Sequence, residues 1–180
     1  MKKVRSAAPA GNIVLIGFMG TGKSSIGRRI AERLDYRFVD TDRLIVQEAG
    51  CSIPEIFQKK GEEFFRETEA AALESLRDAG GHVIATGGGI VDRPANTALL
   101  RALGFVVWFT ASEEVIFERV SRNDRRPLLQ NDNPKQTISR LLERRIPIYG
   151  KAAHFTIDTS RLSHDEIAGA VIEAARLHLQ

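Results

Sequence analysis

This sequence has a single cysteine and no long apolar run, and these two features exclude an internal disulfide and a membrane-spanning helix. Among 180 residues there is one cysteine, Cys51, so no disulfide can form within the chain, which is typical of a reducing compartment. No apolar run approaches the roughly 20 residues that a membrane-spanning helix needs. No hydrophobic segment follows the basic N-terminal residues, so we expect residues 1–11 to be a disordered tail and not a signal peptide. These features predict a cytoplasmic protein with no membrane partner.

Clusters of like charge are also missing. The formal net charge is +3, basic residues occur in runs of no more than two, and aromatic residues are not interleaved with them. A nucleic-acid-binding surface usually shows such clusters, so we favour small anionic ligands over nucleic acid. The four histidines have no metal-ligand spacing, which predicts no zinc site. With 43% hydrophobic residues, the chain is expected to form one globular domain over residues 12–180.

One stretch carries a specific signal. An apolar run at 13–16 leads into residues 17–24, which have the pattern G-x-x-x-x-G-K-S of a phosphate-binding P-loop. Glycines let successive backbone N–H groups turn toward one anion, and the following helix directs the positive end of its dipole there. A glycine-rich turn without function is the alternative, but the strand before the motif and the amphipathic helix after it disfavour that interpretation. We therefore expect a nucleoside triphosphate to bind at Gly20, Thr21, Gly22, Lys23, Ser24 and Ser25, with Lys23 on the outer phosphates and the Ser24 hydroxyl on Mg²⁺.

Alternating strand and helix patterns predict the fold class. Amphipathic helices separate short apolar strands, which are expected at 13–16, 36–39, 82–86, 105–109 and 155–158. This order predicts an α/β fold in three layers, with an open sheet of five parallel strands flanked by helices.

Turn and cap residues predict where some of these helices begin and end. Thr41 or Asp42 is expected to cap the second helix, and Gly61 to separate two helices, of which the second spans 62–79. A helix over 135–145 is expected to end before Pro147. The polar segment at about 121–134 is long enough to predict a lid.

Three distinctive segments should meet at one edge of the sheet, because ligands of open parallel sheets bind at the carboxyl ends of the strands. The P-loop follows the first strand, Asp40 and Asp42 follow the second, and a glycine triplet at 87–89 follows the third. A carboxylate there can hold Mg²⁺ through water or accept a proton from a hydroxyl, although Asp-x-Asp is also good capping chemistry. Three glycines cost backbone entropy, so close approach of their N–H groups to a ligand explains them better than a hinge.

Several arginines could complete such a site, although each alone would be an ordinary surface residue. Arg66 follows two phenylalanines on a helix, Arg125 and Arg126 lie in the predicted lid, and Arg145 lies at a predicted helix end. The flat guanidinium fork suits carboxylates and phosphates, and a lid arginine can stabilise a transferring phosphoryl group.

Taken in order, these motifs resemble those of the shikimate kinase family. The resemblance runs from about residue 12 to the end and is carried by the P-loop, Asp40-Thr41-Asp42, Phe64-Phe65-Arg66, Gly87-Gly88-Gly89, Arg126-Pro127-Leu128 and Arg145-Ile146-Pro147-Ile148-Tyr149. It implies the nucleoside-monophosphate-kinase fold with strand order 2-3-1-4-5, a substrate-binding segment at about 41–80 and the lid at about 121–134. The implied reaction is transfer of the ATP γ-phosphate to the 3-hydroxyl of shikimate, in aromatic amino-acid biosynthesis. We expect the protein to be a monomer.

The resemblance also implies which residues would bind the shikimate. Asp42 would orient the hydroxyls and can act as the base, while Arg66 and Arg145 would clamp the carboxylate. Glu69 would steady Arg66 from one helical turn away. Backbone contacts would come from Gly87, Gly88 and Gly89.

On the nucleotide side, the resemblance makes Lys23, Asp42 and Arg126 the catalytic residues. Arg126 would reach the phosphates from the lid. Ser24 would be a direct ligand of Mg²⁺ and Asp40 a ligand through water. Arg119 and the turn at 158–163 would hold the adenine.

Two other functions fit parts of the pattern. A different small-molecule P-loop kinase, such as a gluconate kinase, would share the P-loop but would not need two arginines for a cyclic carboxylate beside a glycine triplet. A kinase-like sensor that binds a related metabolite would be expected to lack Lys23, Asp42 or the lid arginine, or to carry a DNA-binding domain. The sequence shows neither of these departures.

Overall fold

A computed structural model describes residues 11–121 and 133–179. The described chain alternates strands and helices as expected: β1 Asn12–Gly17, α1 Lys23–Leu34, β2 Arg37–Asp40, α2 Thr41–Ala49, α3 Ile53–Glu74, β3 His82–Ala85, a 3-10 turn Ile90–Asp92, α4 Pro94–Leu103, β4 Gly104–Thr110, α5 Glu113–Ser121, α6 Pro134–Ala152, β5 Phe155–Asp158 and α7 His164–His178. The predicted tail at 1–10 and nearly all of the predicted lid, including Arg126, lie outside the described residues.

The five strands form one parallel sheet in the order β2-β3-β1-β4-β5, which confirms the predicted topology. β1 lies at the centre and is buried along its whole length. Because side chains alternate across a strand, Ile13 and Leu15 pack toward α1 and α7, whereas Val14 and Ile16 pack toward α4 and α6. The sheet is therefore the middle one of three layers, and the central strand carries the P-loop on a rigid support.

The second helix begins differently from the prediction. Asp40, not Thr41 or Asp42, is the N-cap residue of α2, and its side chain makes no capping hydrogen bond. That carboxylate instead accepts a hydrogen bond from the hydroxyl of Ser24 at 2.7 Å. Asp42 is thereby placed in the first turn of α2.

The glycine at position 61 breaks the helix geometry as expected. Gly61 has φ 83° and ψ 173° inside α3, so two helical segments meet there at a kink. The second segment ends at Glu74 and turns follow, so the predicted end at residue 79 is wrong. The segment after the kink carries Arg66 and Glu69.

The sixth helix continues past the residue that was expected to end it. α6 runs through Pro147 to Ala152, although a proline inside a helix costs about 3 kcal/mol. Beyond the proline, Tyr149 and Ala152 are fully buried in the core between α4 and the sheet. Burial of these two side chains in the tertiary core outweighs the local penalty.

Within 11–121 and 133–179, every helix is too short or too polar to cross a membrane.

Candidate active site

The P-loop curls around an open cavity at the carboxyl end of β1. Gly17, Gly20 and Gly22 have φ values of 137°, 80° and 88°, which residues with a side chain rarely adopt. At Gly17 a side chain would also collide with the carbonyl oxygen of Phe109. The loop ends at the first turn of α1, so backbone N–H groups and the positive end of the helix dipole point into the cavity.

Lys23 lies across this loop. Its Nζ donates hydrogen bonds to the carbonyl oxygens of Gly17 and Phe18, each at 2.7 Å, and the residue is 8% exposed. The Thr21 hydroxyl donates to the Phe18 carbonyl at 2.8 Å and is buried, so it closes the loop and does not face the cavity. A buried ammonium group at the phosphate end of the loop is well placed to bind a polyanion.

The cavity has a volume of about 400 Å³ and brings together most of the predicted residues. From the P-loop and α1 it is lined by Gly20, Gly22, Lys23, Ser24 and Ser25; from the neighbouring segments by Asp40, Asp42, Gly87, Gly88 and Arg119; and in addition by Met19, Thr86 and His164. Asp42 and Lys23 therefore face one space, as the sequence predicted.

The groups in the cavity that are expected to hold a metal ion are few, and all of them are oxygens. Ser24 and Asp40, which are hydrogen-bonded to each other, meet at the cavity wall. No group of three or more acidic, histidine or cysteine side chains with metal-ligand geometry occurs in the described part of the chain. A hydroxyl and one carboxylate suit Mg²⁺, which keeps several water ligands and takes others from substrate phosphates.

The arginine pair lies beside this cavity and is joined by an acid that the sequence did not point to. Arg145 donates from Nε and Nη2 to the two carboxylate oxygens of Asp92, at 3.0 and 2.6 Å. Arg66 approaches the same carboxylate at 3.6 Å. Both arginines are at least nine-tenths buried. The structure thus places Arg66 and Arg145 next to each other, although neither lines the cavity that contains Lys23.

Glu69 holds Arg66, as expected, and it also lies near the carboxylate of Asp42. Arg66 donates to Glu69 at 2.5 Å and to Glu62 at 3.0 Å. A side-chain carbon on Gly87 would lie 2.7 Å from an oxygen of Glu69 and 2.7 Å from an oxygen of Asp42, so the two carboxylates approach each other across this glycine. Burial raises the pKa of Glu69 from 4.5 to about 7, although the charge of Arg66 opposes the shift.

The glycine triplet packs closely against all of these groups. A side chain at Gly88 would lie 3.2 Å from the backbone nitrogen of Met19 in the P-loop. One at Gly89 would collide with the guanidinium of Arg66. The buried hydroxyl of Tyr149, one turn after Arg145 on α6, donates to the carbonyl oxygen of Gly88 at 2.5 Å. The triplet is therefore a closely packed wall of the site, and the approach of its N–H groups to a ligand stays a prediction.

Arg119 also lines the cavity. It donates from Nη1 to the Gly20 carbonyl at 3.2 Å and from Nη2 to the Thr159 carbonyl at 2.9 Å. It thus joins the P-loop to the turn at 158–163, where the resemblance puts adenine. His164 follows this turn and lines the cavity, although the sequence predicted no functional site at any histidine.

Three residues of the site had weak sequence signals. Asp92 follows the glycine triplet by three positions, but nothing local shows that three arginines converge on it. Tyr149 stood in the quoted motif without a role, and its partner is 61 residues away. His164 directly follows Ser163, the capping residue of α7, and this position could have identified it as a residue of the site.

Comparison with known proteins places this geometry in a family. The family model described as shikimate kinase matches residues 19–176. A shikimate kinase of Caldanaerobacter subterraneus subsp. tengcongensis is 46% identical over 163 residues, which cover 91% of this chain and 95% of that protein. One of Bradyrhizobium diazoefficiens is 46% identical over 176 residues, 98% of this chain and 84% of that protein. Among solved structures, shikimate kinase from Acinetobacter baumannii in complex with shikimate has a TM-score of 0.88 at 38% identity and covers 95% of this chain and 94% of that one.

Proposed function

We propose, since this chain belongs to the shikimate kinase family, that its cavity transfers the γ-phosphate of ATP to the 3-hydroxyl of shikimate. The products are shikimate 3-phosphate and ADP, and the reaction serves aromatic amino-acid biosynthesis. The observation that carries this function is that Lys23 and Asp42 line one cavity, next to a buried arginine pair.

The nucleotide would bind along the P-loop. Backbone N–H groups of residues 20–25 and Nζ of Lys23 would hold the phosphates, and Arg119 and the turn at 158–163 would hold the adenine. The close contact of Arg119 with the Gly20 and Thr159 carbonyls supports this assignment. Ser24 and, through water, Asp40 would hold Mg²⁺, which neutralises charge on the phosphates.

Shikimate would bind between the glycine triplet and the arginine pair. A guanidinium fork binds a carboxylate through two parallel hydrogen bonds, so Arg66 and Arg145 would take the acid group. The glycines at 87–89 would contribute backbone contacts, and their missing side chains leave room for Asp42, Glu69 and Arg66 beside the substrate. The hydroxyls would then face Asp42.

In the reaction, the 3-hydroxyl oxygen attacks the γ-phosphorus, the bond to the bridging oxygen of ADP breaks, and the hydroxyl proton passes to Asp42. Phosphoryl transfer depends mostly on alignment and on neutralisation of charge, so Asp42 contributes orientation as well as basicity. Lys23 stabilises charge that develops on the phosphates. By the family resemblance, Arg126 would add a second cation from the lid, whose closure would exclude water and limit ATP hydrolysis.

The remaining proposals concern the oligomeric state, the cellular location and the binding partners of the protein. We propose a cytoplasmic monomer that binds neither nucleic acid nor membranes, which the small anionic-ligand site and the dispersed charge support. Light scattering of the purified chain should give a mass near 19.9 kDa. A mass near twice that value would contradict the monomer.

The function is tested by ADP release with four acceptors, namely shikimate, quinate, gluconate and a nucleoside monophosphate. We expect kcat/KM to be highest for shikimate, by at least about 100-fold over gluconate, because the open chain of gluconate does not hold its carboxylate and hydroxyls at the fixed spacing that the arginine pair and Asp42 require. Lys23→Met should lower kcat by about 100-fold or more, whereas Lys151→Met, at an exposed lysine, should not. A higher rate with gluconate would support a different kinase, and shikimate binding without ADP release would support a sensor.

A further inference from the structure

Asp92 is a meeting point for three arginines. It ends the 3-10 turn that follows the glycine triplet, and its carboxylate accepts two hydrogen bonds from Arg145. Arg144 approaches it at 3.0 Å and Arg66 at 3.6 Å. The side chain of Asp92 is only 14% exposed. One carboxylate therefore connects the two arginines of the acceptor site, which come from different helices.

This contact fixes the orientation of Arg145. Two parallel hydrogen bonds, from Nε and Nη2, hold the plane of the guanidinium. The third nitrogen, Nη1, is buried and has no hydrogen-bond partner among the residues that the structure describes. A buried donor without an acceptor is costly, so this nitrogen is suited to an anionic ligand atom.

We propose that Asp92 is a positioning residue that holds Arg145 and Arg66 side by side, so that the acceptor's carboxylate is received by Nη1 of Arg145. This inference rests on the proposed function, because it takes shikimate as the acceptor. Asp92 touches neither reacting group. It acts on affinity and on selectivity for an acid group, and not on the chemical step.

The charges of the cluster fit this role. Burial alone would raise the pKa of Asp92, but the hydrogen bonds from Arg145 and the charges of Arg145, Arg144 and Arg66 outweigh it, so the pKa lies below its ordinary value. Asp92 is thus an anion at neutral pH. It offsets the mutual repulsion of three guanidinium groups, which would otherwise separate the arginines.

The test compares shikimate with its carboxamide, which lacks the negative charge but keeps the ring and the hydroxyls. The measured quantity is the ratio of kcat/KM for the two acceptors, since loss of folded enzyme lowers both values equally. In Asp92→Asn, the ratio should fall by about tenfold or more, with the shikimate KM raised and kcat for shikimate within about threefold of the wild-type value. The KM for ATP should stay within about twofold.

Two matched variants serve as controls. Arg144→Gln removes the exposed arginine of the cluster, and Glu74→Gln removes an exposed acid paired with Arg77 on α3. Both should keep the wild-type ratio, because neither changes the two hydrogen bonds between Asp92 and Arg145.

Several outcomes separate this inference from the proposed function. An unchanged kcat/KM ratio in Asp92→Asn would overturn the inference and leave the proposed function intact. A lower shikimate KM in this variant would do the same, because it would mean that Asp92 competes with the substrate for Arg145. Should Asp92→Asn fail to fold, Asp92→Glu replaces it. That variant retains the charge but displaces the carboxylate, and an unchanged ratio there would also overturn the inference. Inactivity of the wild type toward shikimate would overturn the proposed function itself.

Discussion

The hydroxyl of Tyr149 donates a hydrogen bond to the carbonyl oxygen of Gly88 at 2.5 Å, across 61 residues of sequence. Because the C=O and N–H groups of a trans peptide point in opposite directions, this bond turns the N–H of Gly89 away from Tyr149. It also anchors α6, which carries Arg145, to the glycine triplet. One buried hydroxyl therefore affects both the direction of the Gly89 N–H and the position of Arg145, two groups of the proposed acceptor site.

Tyr149→Phe tests this anchor. We expect the free energy of unfolding to fall by about 1–2 kcal/mol, because the Gly88 carbonyl loses its partner, and the shikimate KM to rise severalfold while the ATP KM does not change. Chemical denaturation and steady-state kinetics measure the two effects. The control is Thr68→Ala, which removes an exposed hydroxyl bonded to the Phe64 carbonyl within α3. Unchanged shikimate KM in Tyr149→Phe would contradict the anchoring role.

The missing side chain of Gly89 is predicted to matter for Arg66. Gly89 has φ −92°, so alanine fits the backbone there, but its methyl group would displace the guanidinium of Arg66. Gly89→Ala should therefore raise the shikimate KM by about tenfold. Gly80→Ala, where nothing lies within 4 Å of an added carbon, should leave it unchanged. Equal KM values in the two variants would show that Arg66 does not bind the acceptor.

Much of this site follows from local sequence, and the rest does not. Apolar runs and the glycine pattern 17–24 specify β1 and the P-loop because neighbouring residues determine both. The course of α6 through Pro147 is different, since the burial of Tyr149 beyond it outweighs the helix propensity of the proline. Asp92 could not be assigned either, because Arg66 and Arg145 lie 26 and 53 residues from it in the chain.

The raised pKa of Glu69 predicts a pH dependence of stability. A folded pKa of about 7 above an ordinary value of 4.5 means that the folded state favours the protonated carboxyl. The resulting contribution to the free energy of unfolding amounts to up to about 3 kcal/mol. It is fully present below pH 4.5 and is lost as the pH rises through 7. The unfolding free energy of the wild type minus that of Glu69→Gln should therefore decrease between pH 4.5 and about 8, as followed by denaturant titration.

Taking this difference cancels the pH-dependent contributions of titrating groups that the two proteins share. One such group is His154, because burial lowers its pKa. Glu74→Gln is the matched control on α3, where both partners of the ion pair are exposed. Its difference curve should be flat over this range. A flat curve for Glu69→Gln would mean that Glu69 stays ionised in the folded protein.

Asp42→Asn tests the carboxylate that faces Lys23 in the cavity. The amide keeps the size of the side chain but accepts a proton poorly and misorients the hydroxyl, so kcat should fall by about 100-fold or more. ADP release coupled to shikimate measures the effect, and Asp78→Asn, at an exposed position after α3, serves as the control. Near-normal turnover in Asp42→Asn would exclude both roles of this residue.

The most direct measurement of the central claim is the identity of the product. Wild-type enzyme, ATP, Mg²⁺ and shikimate are incubated, and phosphorus and proton NMR locate the new phosphate ester. If the P-loop, Asp42 and the arginine pair hold one shikimate molecule as described, a single ester forms, at the 3-hydroxyl, with one ADP for each. Phosphate on another hydroxyl, a mixture of esters, or ADP with inorganic phosphate alone would contradict this arrangement.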